Sequence, residues 1–373
     1  MGADGERVRA LGVERLCLYE WATAGGLDGP DGASVSQDTE VSAAVREEGL
    51  AMLTALAAEA AGSSQVATRV LLGEGVDYRP PAGVSVVRIP RGREWDGLLA
   101  AAAASDWLLP VAPETAGILV RRLVRLSAAG CRLLCPTASF AALASDKQAT
   151  VLALAAAGVP VPAGRRLPAG ACPPPEFRRP LVRKRLDSTG CDGLVVVRTG
   201  IGASEPVVHD ERLETCVEGL PVSVAVLCGS GGLVPLPAVL QRLSAGDRPA
   251  YLGGQLPVPK AVGLRGQQLA VRAVRALSRA AGVEPTPAVG WVGVDMILGD
   301  REDGRGDRVL EINPRVTTSL VGLVACSKTN LIDAMLTAAS GATPQLAFAE
   351  LPAGQVSEFA ARPSSPSISA EQT

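Results

Sequence analysis

Short apolar runs alternate with stretches of helical spacing over the first third of the chain. Arg15-Leu16-Cys17-Leu18-Tyr19 reads as a strand that runs into Glu20-Trp21-Ala22-Thr23-Ala24-Gly25-Gly26 and a Gly/Asp/Pro loop to about residue 38. From Thr39 to Ala61, apolar residues fall at Val41, Ala44, Val45, Met52, Leu53 and Leu56, close to a helical period, and Gly62 suits the stop. Val66–Leu72 and Val84–Ile89 predict strands, Trp95–Ala104 a helix, Asp106–Pro110 a strand, Thr115–Ala129 a helix and Arg132–Cys135 a strand. Strands alternating with helices predict a parallel α/β sheet. Such sheets bind ligands beyond the carboxyl ends of their strands, and Glu20–Gly26 lies at one of those ends.

The pattern changes near Pro136. Ala138–Ala157 predicts one helix, closed by Gly158-Val159-Pro160-Val161-Pro162. Leu181–Leu186 and Leu194–Arg198 predict strands around a Gly-bearing turn, and Leu220–Leu227 and Val234–Leu240 predict two more. Arg265–Ala281 is amphipathic and helical, and a last helix is expected from about Asn330 to Ala339. Residues 1–14 look like a loose leader, and the Ser/Pro-rich stretch at 362–373 a disordered tail. No internal repeat is visible.

Composition narrows the chemistry. With 373 residues, two to three domains are expected. Aromatics make up only 3%, so the core should be aliphatic. A net charge of -2 with scattered Lys and Arg argues against a nucleic-acid partner. The eight Cys form no Cys-x-x-Cys pair, and with one His, His209, neither a His-based zinc site nor a Ser-His-Asp triad is expected. The Ala-rich run Leu98–Ala104 is too short to span a bilayer, and Met1–Glu14 is polar, so no membrane association and a reducing cytoplasm are expected.

Chemistry concentrates near the C-terminal end. Val292-Gly293-Val294-Asp295-Met296-Ile297-Leu298 and Val309-Leu310-Glu311-Ile312-Asn313-Pro314-Arg315 read as two strands joined by a polar turn. Glu311 and Asn313 are two apart, so both leave the strand on one face, alternating with apolar Leu310 and Ile312. Carboxylate and amide oxygens on one face suit Mg²⁺ held together with nucleotide phosphates. Arg315 is next on that face, in reach of phosphate or carboxylate oxygens. Acids beside a polar turn also commonly do no more than solvate a hairpin.

Further motifs line up in order: Ser145-Asp146-Lys147, the Gly-Val-Pro-Val-Pro close, Leu181-Val182-Arg183-Lys184 with its Asp187–Gly193 turn, and Glu214–Gly219 before Ser223-Val224. Together with Asp295 and Glu311–Arg315, they resemble the ATP-grasp superfamily over about residues 136–345. The resemblance implies a Rossmann-like domain at 15–135 and then an ATP-grasp fold of two α+β subdomains, with its lid at about 180–220. It implies ATP and one or two Mg²⁺ (Mn²⁺ able to substitute) as cofactors. Lys147 and Lys184 would neutralise phosphates, Glu214 would accept the adenine amino group, and backbone near Val217 would complete the purine edge. Asp295, Glu311 and Asn313 would hold the metal. Arg315 would steady the transferring phosphoryl group or an acyl phosphate, with Lys184 beside it in the catalytic set.

More narrowly, Tyr19–Leu27 and Asn313–Ser319 resemble the archaeal tyramine–glutamate ligases of methanofuran synthesis and related ATP-grasp proteins of bacterial one-carbon pathways. That implies an ATP-dependent carboxylate–amine ligase with small-molecule substrates. Glu20, Thr23, Gly25 and Gly26 become candidates for the substrate side, as do Thr318 and Ser319 unless they only cap the following helix. Three departures stand out. Pro221 occupies the place of a ribose-binding acid. Asp187 and Asp192 are unexpected beside phosphates. Gly293 replaces the Arg of D-alanine-type peptide ligases, which argues against that chemistry. An ATP-grasp carboxylase or phosphotransferase and a non-catalytic nucleotide-binding protein are the rival readings, and an oligomer is compatible with all of them.

Overall fold

The computed structural model describes residues 13–32, 39–173, 180–198, 206–282, 288–350, 352 and 355–361. The expected tail and all of the expected leader except its last two residues lie outside them. In the first third, β1 (Glu14–Glu20), β2 (Val66–Gly73), β3 (Val84–Ile89) and β4 (Trp107–Val111) form a parallel sheet of order β3-β2-β1-β4. Helices α1 (Thr39–Gly62), α2 (Glu94–Ala103) and α3 (Ile118–Ala128) connect and cover it. Leu53, Leu56 and Ala57 of α1 are buried with Leu16, Leu18, Val70, Leu72 and Leu109 in one aliphatic core. The expected strand at 132–135 is reduced to one parallel bridge between Leu108 and Leu133. Pro136 follows with no N–H to extend the ladder, and Thr137 caps the next helix through the Phe140 N–H.

The helix expected at 138–157 is two helices, α4 (Ala138–Ser145) and α5 (Lys147–Ala156). Asp146 leaves the helical region at φ -98° and ψ 104°, and its carboxylate accepts the Gln148 and Ala149 N–H groups at 2.8 and 2.9 Å. That is an N-cap, and it starts a new helix with Lys147 as its first residue.

Two antiparallel sheets follow. The smaller contains β5 (Gly164–Leu167), β6 (Leu181–Arg185), β7 (Val195–Val197) and β8 (Glu211–Thr215) in the order β5-β8-β6-β7. Strand β8 escapes the sequence pattern because Glu-Arg-Leu-Glu-Thr looks solvated, yet its charges are buried in pairs: Glu211 with Arg183 at 2.8 Å and Arg212 with Glu214 at 2.8 Å. The larger sheet runs β14 (Arg308–Asn313), β13 (Gly290–Leu298), β9 (Leu220–Gly229), β11 (Val239–Leu243), β12 (Tyr251–Leu256), β15 (Ser357–Ala360), with β10 (Gly232–Pro235) paired to β9. The strand expected at Val234–Leu240 is therefore split into β10 and β11, with Pro235 and Pro237 breaking the ladder between them. Helix α6 (Lys260–Ala280) packs Leu269, Val274 and Leu277 against Val224, Val292 and Val294 of this sheet. Helices α7 (Ser319–Cys326) and α8 (Leu331–Ala339) close the other face, tying it to α1. Asn330 caps α8 through the Asp333 N–H and donates to the Glu59 carbonyl of α1 at 2.6 Å.

Candidate active site

A cavity of about 280 Å³ lies between the two antiparallel sheets. Its smaller-sheet wall carries a chain of charges. Lys184 of β6 is buried, its ammonium 2.7 Å from Glu214 Oε1 and 3.3 Å from the Leu310 carbonyl. The other Glu214 oxygen accepts Arg212 Nε at 2.8 Å, and that guanidinium also reaches Gln148 Oε1 at 2.5 Å and the Pro162 carbonyl at 2.9 Å. Lys147, at the head of α5, donates to the Ser188 carbonyl and lies 3.4 Å from Glu311 Oε2. Both lysines thus enter the cavity already matched to a carboxylate, which holds their charge in a buried place until an anion competes for it.

The larger sheet supplies the oxygens. Asp295 pairs directly across from Glu311, and Gly293 across from Asn313. Asn313 Nδ2 donates to Asp295 Oδ2 at 2.9 Å, and Gln241 Nε2 donates to Oδ1 at 3.1 Å. Burial, together with the Glu311 charge alongside, pushes Asp295 up to about 7. Burial also acts to raise Glu311, but the Lys147 and Lys184 charges outweigh it and hold that carboxyl below its ordinary value. Two facing carboxylates with a neighbouring amide oxygen form a donor set that a divalent cation would relieve of its repulsion. Among the described residues no cluster of three or more His, Cys, Asp or Glu could hold a metal by itself. The fit is to a cation that takes its remaining ligands from phosphates and water.

Arg315 follows at the strand end. Its Nε faces Glu114 at 3.0 and 3.2 Å, and its Nη1 donates to the Val316 carbonyl at 3.1 Å. Glu114 comes from the loop after β4, so the parallel sheet orients this guanidinium. Arg315 lines the first cavity and also a second one of about 440 Å³ against the parallel sheet and α1. Glu48, Gly190, Cys191, Pro249 and Tyr251 likewise line both.

Lys147, Lys184, Glu214, Val217, Asp295, Glu311, Asn313, Arg315, Thr318 and Ser319 are brought together around the first cavity, and Glu20 lines the second. Glu214 lines the first cavity with its carboxylate buried and paired to Lys184 at 2.7 Å and to Arg212 at 2.8 Å. Thr23, Gly25 and Gly26 line neither cavity. Thr23 donates its hydroxyl to the Glu20 carbonyl at 3.1 Å and its N–H to the Glu20 carboxylate at 2.8 Å. Gly25 turns at φ 95°, and Gly26 lies where a Cβ would be 2.0 Å from the Trp21 indole nitrogen. These three residues build the turn that carries Glu20. Thr318 precedes α7 without a side-chain capping bond and faces the cavity beside Tyr251.

The unexpected lid acids also find their places. Asp187 turns to the parallel domain, where it accepts the Ala116 N–H at 3.0 Å, and Asp192 lines the second cavity. Pro221 lines the first cavity and offers it no side-chain acceptor. Residues that sequence reasoning missed are Gln241, Arg212, Glu114, Glu48 and Tyr251. None stands in a motif, and only contacts with residues distant in sequence reveal them.

A model of the ATP-grasp domain matches residues 144–319, and one of the pre-ATP-grasp 3 domain matches residues 77–139. The chain belongs to the ATP-grasp superfamily. No curated protein matches this ATP-grasp chain in sequence. Among solved structures it is similar to a protein from Archaeoglobus fulgidus assigned to the ATP-grasp superfamily, at 21% identity over 89% of this chain and 90% of that one, with a TM-score of 0.62. It is similar to biotin carboxylase from Campylobacter jejuni at 16% identity, over 91% and 74% of the two chains, with a TM-score of 0.62. It is also similar to L-amino acid ligase from Bacillus licheniformis at 16% identity, over 87% and 74%, with a TM-score of 0.58. At such identities the likeness is one of ATP-grasp fold.

Proposed function

We propose that the chain is an ATP-dependent carboxylate–amine ligase that forms an amide through an acyl phosphate. One observation carries the reading: a cleft with two buried lysines and a carboxylate pair adjoins a second cavity, and Arg315 lines both. A nucleotide-binding protein that only sensed ATP would have no use for the second chamber. Biotin carboxylase and L-amino acid ligase share the fold at low identity, so neither names the substrates here.

The chemistry needs positioning and charge neutralisation more than acid–base groups, which suits a site with no His among its lining residues. A carboxylate oxygen attacks the γ-phosphorus of ATP, the bond to the β–γ bridging oxygen breaks, and ADP leaves with the electron pair. The amine nitrogen then attacks the acyl carbon, phosphate departs with the carbon–oxygen electrons, and the nitrogen loses a proton. Lys147 and Lys184 exchange Glu311 and Glu214 for phosphate oxygens as the nucleotide enters. Arg315, oriented by Glu114, meets the oxygens of the transferring group, where an aligned donor is worth most. Asp295, Glu311 and Asn313 would hold Mg²⁺ or Mn²⁺, which when bound offsets phosphate charge. Thr318 and Ser319, at the start of α7, would receive the acid.

The finer proposal is glutamate as the acid, in methanofuran-type cofactor synthesis in the cytoplasm. The likeness of Tyr19–Leu27 and Asn313–Ser319 to the tyramine–glutamate ligases supports it. No described helix is long and apolar enough to cross a membrane. ADP release measured over a grid of amino acids and amines tests the ligase reading. It should require one member of each class; release with bicarbonate alone would make the chain a carboxylase, and release with an acid alone a phosphotransferase.

A further inference from the structure

The smaller sheet meets the rest of the chain along two edges of opposite character. Along one edge the contacts come from buried residues. Lys184 reaches the Leu310 carbonyl at 3.3 Å, Arg212 reaches Gln148 at 2.5 Å, and the Lys147 N–H donates to the Leu186 carbonyl at 3.1 Å. Along the other edge lies β7, the outermost strand of that sheet. An edge strand presents its outward N–H groups to whatever lies beside it. The Val196 N–H donates there to the Asp247 carbonyl at 2.7 Å, in the turn at 244–250 between β11 and β12. Beside it, Arg198 Nε lies 3.2 Å from Asp247 Oδ1, with 63% and 61% of the two side chains exposed.

The exposed contact spans the mouth of the first cavity. Leu194 and Val196 line that cavity from the smaller sheet, and Leu243, Pro249 and Tyr251 line it from the β11–β12 hairpin. Asp247 therefore joins the two walls. An exposed ion pair and one backbone hydrogen bond each contribute little net stability in water. Buried charge pairs of the opposite edge are far more costly to break. The weak edge is the one that parts when the sheet swings, and the buried edge is the axis. On a further flank, Asp187 accepts the Ala116 N–H at 3.0 Å, again an exposed contact.

We infer that Asp247 and Arg198 form a clasp that holds the mouth of the cleft shut, and that its release sets how fast the nucleotide leaves. This rests on the cleft being the nucleotide site, as the proposed ligase requires, but not on amide formation. Salt screens an ion pair this exposed, so the clasp makes nucleotide release sensitive to ionic strength. The measurement is stopped-flow release of mant-ADP from the full chain with Mg²⁺ present, chased with excess ADP.

Arg198→Ala should speed release about two- to fivefold over wild type, as for loss of one exposed pair. Asp247→Arg, which sets two guanidinium groups against each other, should speed it further. Combining Asp247→Arg with Arg198→Asp rebuilds the pair in reverse and should bring the rate back to within about twofold of wild type. Raising NaCl from about 0.05 M to about 0.5 M should speed release from the wild type more than from Arg198→Ala, narrowing the gap between them. Equal release rates in wild type, Arg198→Ala and Asp247→Arg overturn the inference. So does a reversed pair that releases as fast as Asp247→Arg alone. Should the rates move as expected while no acid–amine pair releases ADP, the ligase reading falls and the clasp stands.

Discussion

Replacing Lys184 by Met separates the phosphate-binding role proposed for this side chain from its structural one. The ammonium lies 2.7 Å from Glu214 with 6% of the side chain exposed. Removing one partner of a buried ion pair typically costs about 3–5 kcal/mol. Here Glu214 keeps Arg212 at 2.8 Å, so the stability loss should be smaller, about 1–3 kcal/mol. ADP formation per folded molecule should fall about 10²–10³-fold, as for loss of one aligned transition-state donor. Arg212→Met is the control. That guanidinium is 1% exposed, serves Glu214, Gln148 and the Pro162 carbonyl, and does not line the cavity. It should cost the larger stability loss, about 3–5 kcal/mol, with activity per folded molecule reduced less than about tenfold. Thermal melts and a coupled ADP assay on the same preparations give both orderings. Wild-type turnover in Lys184→Met, or a greater loss of specific activity in folded Arg212→Met, would refute the assignment.

The sequence pattern revealed what depends on periodicity. The four parallel strands, α1 and the β13–β14 hairpin follow from apolar spacing, and the hairpin register sets Asp295 opposite Glu311 as strand alternation implies. What stayed hidden depends on partners distant in sequence. Strand β8 looks solvated, yet Glu211 is paired with Arg183 of β6 and Arg212 with Glu214 of the same strand. The break between α4 and α5 turns on one Asp side chain choosing a cap over a helical turn. Glu214 carries the expected residue type but is held by cations from β6 and from its own strand. Glu114 and Arg315 are 201 positions apart, and no local motif could pair them.

Other outcomes follow from the same geometry. Glu311→Ala should reduce ADP formation at least about 10³-fold with the fold retained, and EDTA should have the same effect on the wild type until Mg²⁺ is restored; activity surviving both would remove the metal assignment. Gly293→Ala should destabilise the protein by about 1–3 kcal/mol, because the new Cβ would lie 2.6 Å from Thr317 Cγ2; an unchanged melting temperature would show that the strands shift freely. Burial raises Glu20 to about 7 from its ordinary value of 4.5. A carboxyl raised on folding favours the native state at low pH and loses that contribution as pH climbs through the folded value. Glu20→Gln should therefore gain melting temperature relative to wild type between about pH 4.5 and 7; a gap that stays flat across that range would contradict the burial argument.

The central claim is an acyl phosphate made at the junction of the two cavities, and an oxygen label tests it most directly. With the carboxylate substrate enriched in ¹⁸O, the reaction is run to amide and the released phosphate is examined by mass spectrometry. The account predicts one labelled oxygen in each phosphate formed, because the acid's own oxygen becomes the bridge to phosphorus and departs with it. Phosphate free of label, alongside labelled amide, would show that the carboxylate is never phosphorylated.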